Sequence, residues 1–297
     1  MTGSTAPTRA LYLLLGLLLL LWSSNFIFAK FALRELPLAM VVGLRYVLSG
    51  ICMMPVMAVV RRRSPAPAQN WRLQEIPWLL AVGLLGLVGN QVLFVIGISM
   101  TSVAHAAMIT ALSPVLVMVG AGVTGVERIT PIRVLGIVIA ACGVVVLQFS
   151  RGATGGASGK GDAVMLVSVV VFAGFNLLGK PLAERFGSLQ MNAVAYGGAG
   201  VLALPLVIGN WTRSAQASLL AWVGVAYMAV CSSVIGYLIY AHALRHLPAS
   251  RVAVVLYLQP LLASLLAVSI LGELPGTAFL PAAALVLGGV YTVERFS

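Results

Sequence analysis

Residues 11–29 read LYLLLGLLLLLWSSNFIFA, a leucine run that passes through Trp22-Ser23-Ser24-Asn25 and returns to Phe26-Ile27-Phe28-Ala29. A bilayer core about 30 Å thick takes roughly 20 helical residues to cross. The run follows Arg9 as a signal peptide would, but it outlasts an apolar signal region of roughly 7 to 15 residues and carries polar groups inside it. It is therefore expected to be a retained first membrane span.

The same pattern recurs along the chain. Apolar runs predict spans at 11–29, 38–60, 76–98, 103–123, 131–149, 163–182, 190–209, 217–241, 249–271 and 277–293. None alternates with period two, so a β-barrel is excluded and an all-α polytopic membrane protein of ten helices is expected. Arg61-Arg62-Arg63-Ser64-Pro65-Ala66-Pro67, Thr130-Pro131 and the glycine-rich connection from Arg151-Gly152 to Gly161 punctuate the runs. The last divides the chain into 1–150 and 151–297, two five-span units of one membrane domain.

Composition agrees: 61% of the 297 residues are hydrophobic and 8% charged, against roughly 25% charged in soluble domains. The net charge of +11 comes from 18 scattered Lys and Arg. It forms no basic patch interleaved with aromatics, so nucleic acid is not an expected partner, whereas membrane lipid is. With the N-terminus inside, the inner segments hold twelve basic residues and the outer ones four (Arg34, Arg151, Lys160, Arg213), with Lys30 and Arg45 left in spans. That bias predicts both termini in the cytoplasm. Cys52, Cys142 and Cys231 lie in apolar stretches without metal-ligand spacing, and neither a metal nor a cofactor is expected.

The halves match each other. At an offset of 150, Lys30, Tyr46, Gly50 and Pro55 meet Lys180, Tyr196, Gly200 and Pro205. At 146, Pro114, Glu127 and Gly143-Val144 meet Pro260, Glu273 and Gly289-Val290. An odd number of spans per half inverts the second copy, the arrangement of alternating-access transporters with a site at the repeat interface.

These residues resemble the drug/metabolite transporter superfamily, in particular its EamA-type members and, within them, YddG-like amino-acid and metabolite exporters. The resemblance rests on Trp22-Ser23-Ser24-Asn25-Phe26 with Lys30, Leu44-Arg45-Tyr46, Ser113-Pro114 with Glu127-Arg128-Ile129-Thr130-Pro131, Tyr240-Ala241-His242-Ala243-Leu244, and Gln259-Pro260 with Leu271-Gly272-Glu273. Leu274-Pro275 stands where the basic residue usual after the glutamate is missing. The resemblance implies a transporter that exports small organic solutes, aromatic amino acids included, by alternating access.

Polar groups at bilayer depth must be paired or face a cavity. Candidate substrate contacts are Trp22, Ser24 and Asn25 in span one, Asn90 and Gln91 in span three, Phe172, Phe175 and Asn176 in span six, and Tyr196 in span seven. Tyr237 and Tyr240 share a face of span eight, and Tyr257 and Gln259 lie just before Pro260. Helix-to-helix glue is the competing role for each. Tyr12, Tyr227 and Tyr291 suit interfacial anchors. Lys30, Arg45 and Lys180 either snorkel or attract a substrate carboxylate. Pro114 and Pro260, mid-span, are expected to kink their helices as packing devices or as hinges.

All seven acidic residues, Glu35, Glu75, Glu127, Asp162, Glu184, Glu273 and Glu294, fall at span ends or in loops. A facilitator is expected, with proton-coupled multidrug or metabolite efflux through His105 and His242 as the alternative. A non-transporting scaffold or receptor is the competing class. An enzyme is not expected: neither His-Glu-x-x-His nor Gly-x-Ser-x-Gly occurs, and Gly83, Gly86 and Gly89 are spaced for packing, not for a phosphate.

Overall fold

The computed structural model describes residues 9–63, 76–124, 130–148, 158–247, 252 and 255–295. Among these every regular element is helical. The rods are α1 (Arg9–Glu35), α2 (Leu38–Arg63), α5 (Pro131–Gln148), α6 (Gly159–Phe186), α7 (Ser188–Ser214) and α10 (Phe279–Arg295). Others are compound. Helix α3 runs through Ile76–Val82, the π-helical Gly83–Val88 and Gly89–Met100; α4 is Val103–Thr110 followed by Ser113–Val123. Helix α8 is Leu219–Tyr227, the π-helical Met228–Ile235 and Gly236–His246; α9 is Gln259–Leu266 with the π-helical Ala267–Leu271.

Among the described residues, seven helical stretches are long and apolar enough to cross a membrane: Arg9–Glu35, Leu38–Val59, Leu80–Met100, Val103–Val123, Gly159–Gly179, Leu189–Ser214 and Leu219–Ala243. Pro131–Leu147, Gln259–Leu271 and Phe279–Thr292 are shorter apolar helices. Helix α1 explains the composition: Leu11, Leu15 and Leu18 are buried at helical spacing, yet the opposite face shows Leu13, Leu17 and Leu20 to the surroundings. A helix apolar all round needs a solvent as apolar as its core.

Several connections between helices are tight. Pro37 separates α1 from α2 and its carbonyl accepts from Met40 and Val41. Ser102 caps α4, its Oγ accepting from the His105 amide at 3.2 Å. Ser218 caps α8 and is itself held by Glu35, to which its amide and hydroxyl donate at 2.6 and 2.7 Å. Gly187, at φ +83°, reverses the chain between α6 and α7, and Gly272, at φ +67°, ends α9. Both have a positive φ that glycine adopts without a Cβ clash, and Gly272 forms a left-handed cap to α9.

Helix α2 packs along α7, α5 along α10, and α3 along α6, while α1 lies against α8 and α9. The first two pairs are made by matched glycines. A Cβ on Gly50 would meet the Tyr196 carbonyl oxygen at 2.9 Å, and one on Gly200 the Tyr46 carbonyl oxygen at 3.1 Å. Likewise Gly143 would meet the Val286 amide at 2.7 Å and Gly289 the Ala140 amide at 2.5 Å. Small residues let helix backbones approach where lipid offers no hydrophobic drive for association.

The prolines differ from the expectation of kinks within continuous helices. Pro114 and Pro260 each stand in the first turn of a new segment, Ser113–Val123 and Gln259–Leu266. Turns at Ala111–Leu112 and Tyr257–Leu258 precede them. The first turn lacks intrahelical partners for its amides, so proline is tolerated there and the break falls one or two residues earlier.

Candidate functional site

A cavity of about 780 Å³ lies among α1, α2, α3, α4, α6, α8 and the start of α9. Of the residues expected to meet substrate, Trp22, Asn25, Asn90, Gln91, Phe172, Asn176, Tyr237, Tyr240, Tyr257 and Gln259 line it, joined by Arg45, Pro114 and Pro260. Phe26, Phe94, Met118, Thr110, Ser168 and Ser232 complete much of the wall.

Helix α1 presents its polar break to this space. The Trp22 indole donates to the Ser232 carbonyl at 3.2 Å. That carbonyl belongs to the π-helical stretch of α8, whose wider turn leaves its carbonyls off the usual ladder. Gly236 makes room, since a Cβ there would come within 2.5 Å of the indole nitrogen. The Trp22 ring then lies 5.9 Å from that of Tyr237 and 5.4 Å from that of Tyr240, centroid to centroid. Gln259 closes the corner, its amide donating to the Trp22 carbonyl at 3.4 Å while its own carbonyl accepts from Ser23 Oγ at 3.4 Å.

On the facing wall Asn90 donates to the carbonyl and hydroxyl oxygens of Ser168, each at 2.9 Å, and Ser168 Oγ donates back to the Asn90 carbonyl at 3.0 Å. This clasp joins α3 to α6 and satisfies polar groups that lipid would leave unpaired. Ser168 carried no sequence signal of its own, being one small polar residue in an apolar run. Asn176 donates to the Phe172 carbonyl of its own helix at 2.8 Å and lies toward the exposed margin.

Other expected contacts fall elsewhere. Ser24 turns from the cavity to Tyr227, oxygen to oxygen at 2.6 Å, and the Tyr227 ring stacks on Phe28 at 3.9 Å. Tyr227 therefore links α1 to α8. Phe175 is buried with its ring against Gly86. Tyr196 is buried behind the wall, 6.3 Å from the ring of Tyr46 and 6.5 Å from that of Tyr237. His242 is exposed beside His246. The side chain of Lys180 and residue Glu127 lie outside the described residues.

Lys30 and His105 lie together in a polar layer at the end of the bundle. Lys30 Nζ donates to the Thr101 carbonyl at 2.6 Å and stands 3.8 Å from Glu273 Oε1. Glu273 Oε2 accepts from the Val103 amide at 2.8 Å, where the helix dipole of α4 also favours a carboxylate. Asp162 accepts from Thr101 Oγ1 and faces His105 Nδ1 at 2.9 Å. Although it stands in the first turn of α6, Asp162 is 4% exposed, because the α3–α4 connection folds over it. Ala107, two residues past His105, already lines the cavity, so this layer covers that end of it. Among the described residues no group of three or more His, Cys, Asp or Glu side chains converges as a metal site.

Comparison with known proteins gives this architecture a relationship. The EamA-like transporter family matches residues 10–149 and again 159–295. A protein of Archaeoglobus fulgidus named as an uncharacterized transporter is 28% identical over 289 residues, covering 96% of this chain and 98% of its own. A probable terminal-alkyne amino-acid exporter of Streptantibioticus cattleyicolor is 27% identical over 232 residues, covering 78% and 77%. One solved crystal structure superposes with a TM-score of 0.64 over 97% of both chains at 20% identity, a likeness of fold. With both halves matched and a polar, aromatic cavity at the centre of an apolar helical bundle, the chain belongs to the EamA-like transporter family, as the resemblance in its sequence implied.

Proposed function

We propose that this membrane transporter exports small organic solutes, amino acids with aromatic side chains among them, by alternating access. Its frame is ten spans arranged as two inverted five-helix repeats, 1–150 and 151–297, in a bacterial inner membrane with both termini cytoplasmic. The cavity carries the proposal: it draws walls from both halves, and its mixture of rings, amides and hydroxyls suits a solute with an apolar body and a polar end. The reciprocal glycine contacts and the matched proline breaks support the repeat. The name of the Streptantibioticus relative supports amino-acid export.

Movement down the solute gradient without ion coupling is the first form of this proposal, because no acidic side chain is among the described residues lining the cavity. The buried His105–Asp162 pair favours a second form, proton-coupled efflux. Flux of phenylalanine and tryptophan in proteoliposomes, with and without a proton gradient, separates them. Downhill flux that persists after the gradient is collapsed is the expected result. Strict dependence on the gradient selects the proton-coupled form, and absence of any solute flux removes transport of these substrates.

A further inference from the structure

Arg45 lies seven residues into α2, about 10 Å along the helix axis from its start. It lines the cavity and is 2% exposed. Its Nε and Nη2 both donate to Ser233 Oγ, at 3.2 and 3.1 Å. Ser233 Oγ in turn donates to the Met228 carbonyl at 3.0 Å, so it is a neutral, already committed partner. The surrounding groups are the phenols of Tyr46, Tyr196 and Tyr237. Nη1, enclosed at the wall, has no hydrogen-bond partner.

Guanidinium stays protonated in proteins, so Arg45 brings a full positive charge to bilayer depth. A cation there is costly unless an anion or a strong set of acceptors answers it. Among the described residues Lys30 pairs with Glu273 and His105 faces Asp162, and no carboxylate pairs with Arg45. Ser233 occupies the edge formed by Nε and Nη2, which leaves the edge bearing Nη1. That edge matches the spacing of two carboxylate oxygens. Asn25 Oδ1, another enclosed unpartnered atom of the cavity wall, is a neutral acceptor. A neutral acceptor tolerates an amine without demanding one, so the charge preference of the site is set by Arg45.

We propose that Arg45 is the anion-recognition residue of the cavity, taking the carboxylate of an organic acid whose apolar body lies against Trp22, Phe94 and Phe172. The assignment deepens the transporter function proposed above and rests on it. It makes a simple monocarboxylate without an amine a ligand, and it disfavours the uncharged isostere and cationic solutes.

The test uses matched acids and amides, from propionate and propanamide to 3-phenylpropionate and 3-phenylpropanamide. Each is assayed by thermal stabilisation of the purified full-length protein in detergent and by flux in proteoliposomes. The longer acids are expected to stabilise the wild type at concentrations at least tenfold below their amides, and Arg45→Gln is expected to abolish that difference while Arg45→Lys keeps part of it. Should Arg45→Gln fail to fold, the wild-type comparison alone decides. Equal stabilisation by acid and amide, or none by any acid, overturns the assignment. Acid-selective stabilisation with no flux of any solute keeps Arg45 as an anion site and overturns transport; flux without acid selectivity does the reverse.

Discussion

A Cβ placed on Gly50 of α2 would stand 2.9 Å from the carbonyl oxygen of Tyr196 on α7, and the mirror contact sets Gly200 against the carbonyl oxygen of Tyr46 at 3.1 Å. The two tyrosines thus frame one backbone crossing, with Arg45 beside them and Ser233 across from it. Close packing of α2 on α7 holds the guanidinium in place at the cavity wall.

Gly50→Ala should lower the unfolding temperature in detergent, at a cost of about 1–3 kcal/mol for overpacking against backbone that cannot give. Gly209→Ala is the control: a Cβ there meets nothing within 4 Å, so better helix propensity should leave stability unchanged or raise it by up to about 1 kcal/mol. Equal behaviour of the two variants in a thermal unfolding assay would contradict the packing account.

Trp22 and Tyr227 should separate recognition from support. Trp22→Ala removes a cavity wall that also bonds to Ser232, and solute affinity should fall by about tenfold or more, equivalent to roughly 1.4 kcal/mol. Tyr227→Phe breaks only the bond to Ser24 outside the cavity, so stability should drop by about 1 kcal/mol with affinity intact. Binding measured on both variants checks this, and a loss of affinity in Tyr227→Phe would move Ser24 back toward the site.

Glu273 joins Lys30 to the start of α4 over the closed end of the cavity. The pair is partly exposed, so removing its charge with Glu273→Gln should shift the equilibrium by about 0.2–1 kcal/mol. In a protein whose Cys52, Cys142 and Cys231 are replaced, a cysteine at Ala107 should then react with an impermeant thiol reagent about twofold to fivefold faster from the Lys30 side. An unchanged rate would deny the layer a gating role.

Pro114 and Pro260 follow matched helix breaks beside the cavity. If the breaks are hinges, Pro114→Ala and Pro260→Ala should slow flux severalfold while affinity stays within about twofold, since each restored amide can rejoin the segments. A parallel loss of affinity assigns the prolines to pocket shape, and normal flux in both variants removes the hinge.

Membrane location, the apolar runs and the family were legible in the sequence, because hydrophobicity is a property of each residue and a lipid-crossing helix satisfies its backbone within its own segment. The leucines of α1 needed no partner to announce their solvent. Ten of the thirteen expected substrate contacts line the cavity, legible as polar or aromatic residues with no reason to stand in lipid, whereas wall residues such as Phe94, Thr110 and Ser168 were not. The partners of the expected contacts were not legible either. Ser24 and Asn25 are neighbours in the chain, yet one meets Tyr227 and the other lines the cavity, since about 100° of helix rotation separates them and only packing decides which face meets which helix. Asp162 stood at a span end, and the fold of the α3–α4 connection buried it against His105. The π-helical stretch that frees the Ser232 carbonyl for Trp22, and the neutral partner that leaves Arg45 without an anion, exist only where distant helices meet. Tertiary structure decided them, because a contact between residues some 190 positions apart is a property of the pair and not of either residue's local sequence.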